Sequence, residues 1–175
     1  LLEPGTGKTR TARFWVYAGD DSQPHTVFDF TTSRKRDGPE LFLKDWKGYL
    51  QADAFSGFDR ICAAKGVGEC ACWAHARRKF FDAQESDPRA REMIVLIGGL
   101  YEVEALTRPA IEAARALPFD QRAAALAPAF AARKTLRQAQ SAPLLEKINA
   151  WLTAQAKDAL PKSPLGQAIG YMRNQ

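Results

Sequence analysis

The carboxylate of Asp53 stands at the end of a short apolar run, Tyr49-Leu50-Gln51-Ala52. A small-residue turn flanked by aromatics, Ala54-Phe55-Ser56-Gly57-Phe58, follows it. That order predicts a strand that delivers one acid to its C-terminal end, a rigid way to hold a metal ion or a general base. The competing reading is a cap, in which Asp53 accepts hydrogen bonds from the backbone of the next turn or helix. One carboxylate does not hold a divalent cation by itself, because hard cations take several oxygen ligands.

A second constellation is Cys70-Ala71-Cys72-Trp73-Ala74-His75. Cys-x-Cys-x-x-His offers three zinc-type ligands within six residues, with Cys62 available as a fourth. Structural zinc sites, however, usually pair two separated knuckles, and no second Cys/His cluster exists in the chain. On a strand, moreover, Cys70 and Cys72 would face one side and His75 the other. The alternative is that both cysteines are small buried residues of a core strand. Covalent catalysis has little support: His25 and His75 are the only histidines, His25 reads as a surface residue, and neither carries a nucleophile signature. Pro4-Gly5-Thr6-Gly7-Lys8-Thr9 looks like the end of a phosphate-binding loop, but Leu2 stands where its first glycine belongs. The next residues read as a strand rather than a helix. The segment is therefore read as a hairpin turn.

Two dense cationic runs, Arg34-Lys35-Arg36 and Arg77-Arg78-Lys79, together with Lys44 and Lys47, could form a phosphate-binding face. Their alternative is a solvated surface. A net charge of +5 and a pI near 9.2 lean mildly towards a polyanionic partner. Three cysteines do not make a disulfide framework and suit a reducing compartment. No apolar run approaches the roughly 18 residues of a membrane span, and LLEPGTGKTR lacks signal-peptide architecture. The chain begins at Leu1 without a methionine and stops within a helical pattern at Gln175, which reads as a fragment of a longer protein.

The elements that would position these residues follow from periodicity. Thr11–Tyr17 reads as a strand with apolar residues on both faces, hence covered on both sides. His25–Thr31 is the next strand, and the short connection makes the pair antiparallel. Pro39 suits the first turn of a helix with Leu41, Phe42, Leu43 and Trp46 as its apolar positions, ended by Gly48. The Asp53 strand follows. After a short helix near Phe58, Ile61 and Cys62, Glu69–His75 reads as a further buried strand. A helix anchored by Phe80 and Phe81 comes next. Beyond Ser86 strand signals vanish, and helices are predicted over 92–107, 121–138, 142–159 and 165–175. Gly98-Gly99 weakens the first of these locally, and Pro128 is expected to kink or break the second.

YLQADAFSGF (49–58) followed by CWAHARRKFFD (72–82) resembles the bacterial IS66 family of insertion-sequence transposases. SRKRDGPELFLKDWKG (33–48), LEPGTGKTRTARFWVY (2–17) and the region from WLTAQ to LPKSPLGQAIGYMRNQ look similar to segments of the same family. The resemblance implies a DDE-type enzyme with an RNase H-like core: antiparallel strands, then parallel ones, with helices on both faces. It implies three acids that bind two divalent metals, usually magnesium (or manganese). Two such ions about 3.5–4 Å apart stabilise the attacking and leaving oxygens of an in-line phosphoryl displacement. Asp53 matches the second acid. Cys72-Trp73-Ala74-His75 matches a Cys-x-x-His signature that follows it, which makes His75 a candidate catalytic residue. The first acid would lie upstream of Leu1 and the third beyond Gln175.

The expected fold class is therefore α/β, an RNase H-like mixed sheet flanked by helices over 1–85, followed by an all-helical insertion over 86–175. The expected function is metal-dependent DNA cleavage and strand transfer of an insertion sequence, with Asp53 as metal ligand. Arg34, Lys35, Arg36, Arg77, Arg78 and Lys79 are the candidate phosphate contacts. With two acids absent, the chain alone is expected to be inactive. The implied partners are transposon-end and target DNA, further copies of the protein on that DNA, and accessory proteins of the same element, in the bacterial cytoplasm at the nucleoid and not at a membrane. The alternatives are a non-catalytic DNA-binding remnant and a small structural zinc module.

Overall fold

Alternating aromatic and β-branched residues make Arg13–Ala18 a strand, β1, and Thr26–Thr31 its partner, β2. They pair antiparallel, from Arg13 opposite Thr31 to Ala18 opposite Thr26. The computed structural model describes residues 4–9, 12–32, 37–52 and 56–174. In the β1–β2 connection, Asp20 Oδ1 accepts hydrogen bonds from the backbone N–H groups of Ser22 (2.9 Å) and Gln23 (3.0 Å), the Asx geometry that favours aspartate in turns. One face of the hairpin is packed. Tyr17 stacks on Phe42 with ring centroids 4.0 Å apart, Trp15 meets Phe58 edge-on at 6.1 Å, and the Trp15 indole donates to Thr31 Oγ1 at 2.8 Å. The other face carries Phe14, Val16, Phe28 and Phe30, and Phe14 is 75% exposed. Among the described residues β1 is thus covered on one side, not two, because the period of two sends Phe14 and Val16 away from the packed face.

Helix α1 (Asp37–Phe42) holds Pro39 buried in its first turn, where a missing N–H costs no hydrogen bond. The helix stops at Phe42. Gly48 does not end it; it opens strand β3 (Gly48–Gln51) with a φ of 126°, a conformation that side chains with a Cβ rarely adopt. A 3-10 turn (Ser56–Phe58) and helix α2 (Asp59–Cys62) lead to strand β4 (Val67–Cys70), which pairs parallel with β3. Among the described residues β1–β2 and β3–β4 are two separate two-stranded sheets.

The expected strand over Glu69–His75 is corrected. Pairing ends at Cys70, and Trp73 starts helix α3 (Trp73–Ala83). Ala76, Phe80 and Ala83 recur at helical spacing and are buried, so burying that stripe favours the helix. Phe80 is fully buried, whereas its neighbour Phe81 points to solvent.

Helices α4 (Ala90–Arg115), α5 (Phe119–Leu136), α6 (Ala142–Gln155) and α7 (Pro164–Arg173) complete the chain, with a π-helical turn over Arg137–Ser141 joining α5 to α6. Their core gathers Phe80, Met93, Ile97, Trp151, Leu165 and Ile169. The Phe80 and Trp151 rings meet edge-to-face at 5.9 Å, and the Trp151 indole donates to Glu92 Oε2 at 2.8 Å, which satisfies its one polar atom. A smaller cluster joins Ile111 and Ala114 of α4 to Leu126 and Ala129 of α5. That packing flanks Pro128, and α5 runs through the proline without the expected break. The chain divides into two compact units, 1–72 and 73–175, so α3 belongs with the helices that bury its stripe.

Candidate functional site

The β3–β4 ladder builds the approach to the strand-end acid. Gly48 donates to Gly66 O at 2.9 Å where the pair opens, and Ala52 donates to Cys70 O at 3.1 Å where it closes. The backbone is therefore held in register up to the residue before Asp53. Asp53 itself lies outside the described residues, as do Arg34, Lys35 and Arg36.

The other predicted residues fall on α3. Because this segment is a helix, His75 shares an exposed stripe with Arg78 and Lys79, three and four residues further on. Arg77 is half-buried. Lys79 Nζ sits 4.8 Å from the centroid of the Tyr171 ring on α7, a cation–π contact that ties this cation to the helical unit. Nothing in the sequence signalled that pairing, since the two residues lie on helices far apart in the chain.

Cys62, Cys70 and Cys72 are half-buried and form no disulfide. Burial pushes the Cys62 thiol up from its ordinary value, and the carboxylates of Glu69 and Asp59 add to the effect. A protonated thiol is a poor nucleophile and a poor metal ligand. Among the described residues no three His, Cys, Asp or Glu side chains come together as a group that could hold a metal ion. Cys70, Cys72 and His75 therefore do not make the zinc site their spacing suggested: the first ends a strand and the third rides a helix. The described residues likewise do not by themselves fit a divalent-metal site.

The chain matches the Transposase IS66 family along residues 1–175. It belongs to that family. Its relatives include three proteins of Sinorhizobium fredii (strain NBRC 101917 / NGR234). The uncharacterized protein y4jD is 26% identical over 184 residues, which cover 97% of this chain and 32% of the relative. The uncharacterized protein y4qI is 34% identical over 130 residues, 66% of this chain and 24% of the relative. The uncharacterized protein y4hP is 27% identical over 189 residues, 94% of this chain and 31% of the relative. The chain spans about a third or less of the length of these curated relatives. No solved structure matches it. IS66 membership carries a transposition-related role, and DDE transposases as a class are polynucleotidyl transferases that act on DNA and generally use divalent metal ions. No helix among the described residues is long and apolar enough to cross a membrane.

Proposed function

We propose that this chain is part of the catalytic region of a DNA transposase that cleaves the ends of an insertion sequence and joins them to target DNA. The family match along residues 1–175 carries the reading. Residues 1–85 contribute to an RNase H-like core, and 86–175 form a helical insertion. Two features support that division: an antiparallel pair precedes a parallel one, and only helices follow. Asp53 supplies one carboxylate to a pair of divalent ions, magnesium or manganese, in the complete enzyme. The exposed His75, Arg78 and Lys79 stripe and the Arg34-Lys35-Arg36 run meet DNA phosphates. The working enzyme acts as an oligomer on DNA ends, in the cytoplasm at the nucleoid.

The test uses the complete protein encoded by the gene that carries this chain, a duplex bearing the element's terminal sequence, and magnesium. Cleavage and strand transfer that are lost in Asp53→Asn, with folding intact by circular dichroism, are the expected result. Cleavage unaffected by Asp53→Asn overturns the assignment of Asp53. A complete protein that binds the ends without cutting them is the non-catalytic remnant. The 175-residue chain alone is expected not to cut, because one carboxylate does not hold the metal pair. In the complete protein, Arg78→Ala reduces the salt dependence of duplex binding by about 0.9 per phosphate contact removed.

A further inference from the structure

The helical unit contains a groove of about 730 Å³ that the reading above does not use. Trp73, at the start of α3, lines it together with residues of α4, α5, the π-turn and α6. Three aromatic rings, Trp73, Tyr101 and Phe130, share this groove with three cations, Arg133, Lys134 and Arg137. One carboxylate, Glu104, faces those cations. Arg137 donates to both its oxygens, at 2.5 and 2.8 Å, while Arg133 Nη1 lies 4.0 Å from it. The Arg133 guanidinium also lies 4.7 Å from the centroid of the Phe130 ring. These contacts fix two planar cations in place but leave the groove net positive. Lys134 is exposed, and its side chain makes no hydrogen bond or ion pair among the described residues.

The backbone adds a second sign. Arg137, Gln138 and Ser141 all line the groove and all lie on the π-helical turn. Such turns are rare and are frequently found at functional sites. Its volume lies in the range of small-molecule pockets, about 300–1,000 Å³.

We infer that this groove binds a segment of single-stranded DNA, stacking its unpaired bases on Trp73 and Tyr101 and meeting its phosphates with Lys134 and Arg137. Only unpaired bases offer their π-faces to a protein, and a positively charged groove floored by aromatic rings is the arrangement that holds them without reading sequence. The choice of DNA as the polyanion rests on the transposase reading; the groove's charge and rings would also admit an acidic peptide bearing aromatic residues.

Fluorescence anisotropy of the 175-residue chain tests this with a short labelled single strand of mixed sequence, the same sequence as duplex, and a labelled acidic peptide. The single strand is expected to bind more tightly than the duplex or the peptide. Trp73→Ala should weaken it about tenfold with little change in salt dependence, as the loss of a stacking platform does. Lys134→Ala should lower the salt slope by about 0.7, the single-strand value for one phosphate contact. Lys134 is exposed and Trp73 is 36% exposed, so melting curves of both variants accompany the titrations and Trp73→Phe, which keeps a ring, is expected to retain most of the binding. Single-strand binding that neither variant alters, equal or tighter binding of the duplex or the peptide, or no binding at all overturns the inference. Asp53→Asn separates the two readings. It is expected to leave single-strand binding intact while abolishing cleavage by the complete protein, so either result can fail without the other.

Discussion

The two units solve the problem of burial differently. Over 73–175 a helix pair or triplet covers each apolar stripe, and large side chains such as Phe80, Met93, Ile97 and Leu165 are fully buried. Over 1–72 the described residues that reach burial are Pro39, Leu43, Gly57 and Ile61, while Phe14, Val16, Phe28 and Phe30 lie exposed on one face of a hairpin. Two-stranded sheets of six and four residues have little surface to close around, and a lone two-stranded hairpin is marginal in water. A helix packed on three neighbours closes its own core. The sequence position of Asp53, the proposed metal ligand, falls in the less buried unit, whereas His75 falls in the helical one. The self-sufficient unit carries the groove.

This contrast can be broken most forcefully at Phe80. Phe80→Ala should cost about 3–5 kcal/mol, the usual range for a buried aromatic, whereas Phe14→Ala on the open hairpin face should cost less than about 0.5 kcal/mol. Comparable losses in chemical denaturation would mean that the two units do not differ in packing. Gly166→Ala comes next. A Cβ there would stand 2.0 Å from the Leu160 carbonyl oxygen, a backbone atom that can move only with its loop. A loss of about 1–3 kcal/mol is expected, read as a lower melting temperature of the helical unit. Ser163 caps α7 through a hydrogen bond from Gly166 N at 3.1 Å; Ser163→Ala should cost about 1 kcal/mol.

The smallest effect is electrostatic. Hydrogen bonds from Arg137 hold the Glu104 carboxyl below its ordinary value. A group with a lowered native pKa contributes stability above its unfolded value, about 4.3, and loses it as pH falls through the native value. Glu104→Gln should therefore lower stability at neutral pH by about 0.5–1 kcal/mol. The difference from the parent chain should shrink as pH drops below about 4. Hydrogen exchange sharpens the same comparison: amides of α4 and α6 should exchange far more slowly than those of β1 and β2.

Much of the order of elements was legible in the sequence. The antiparallel pair, the strand before Asp53, the short helix near Ile61 and the later helices follow from periods of two and 3.6. Cys70 to His75 was misread because a compact apolar run fits a strand or a buried helix equally well. The four-residue ladder with β3 and the buried stripe of Ala76, Phe80 and Ala83 decided where one element gave way to the other. Pro128 does not break α5; a local rule says nothing of the Leu126 and Ala129 contacts on either side. In the groove, the spacing of Arg133, Lys134 and Arg137 on one helical stretch was a readable signal. Their meeting with Trp73 and Glu104 was not.

By itself the sequence determined the family, the strand that leads to Asp53 and the helical character of everything after α3, since all three rest on local residue order. Tertiary structure alone decided that His75 shares a cationic stripe with Arg78 and Lys79, that β1 is covered on one face among the described residues, and that the groove brings Trp73 of α3 together with residues of α4, α5 and α6. Those outcomes depend on which apolar stripe finds a partner, and residues distant in the chain, such as Phe80 and Trp151, set that competition.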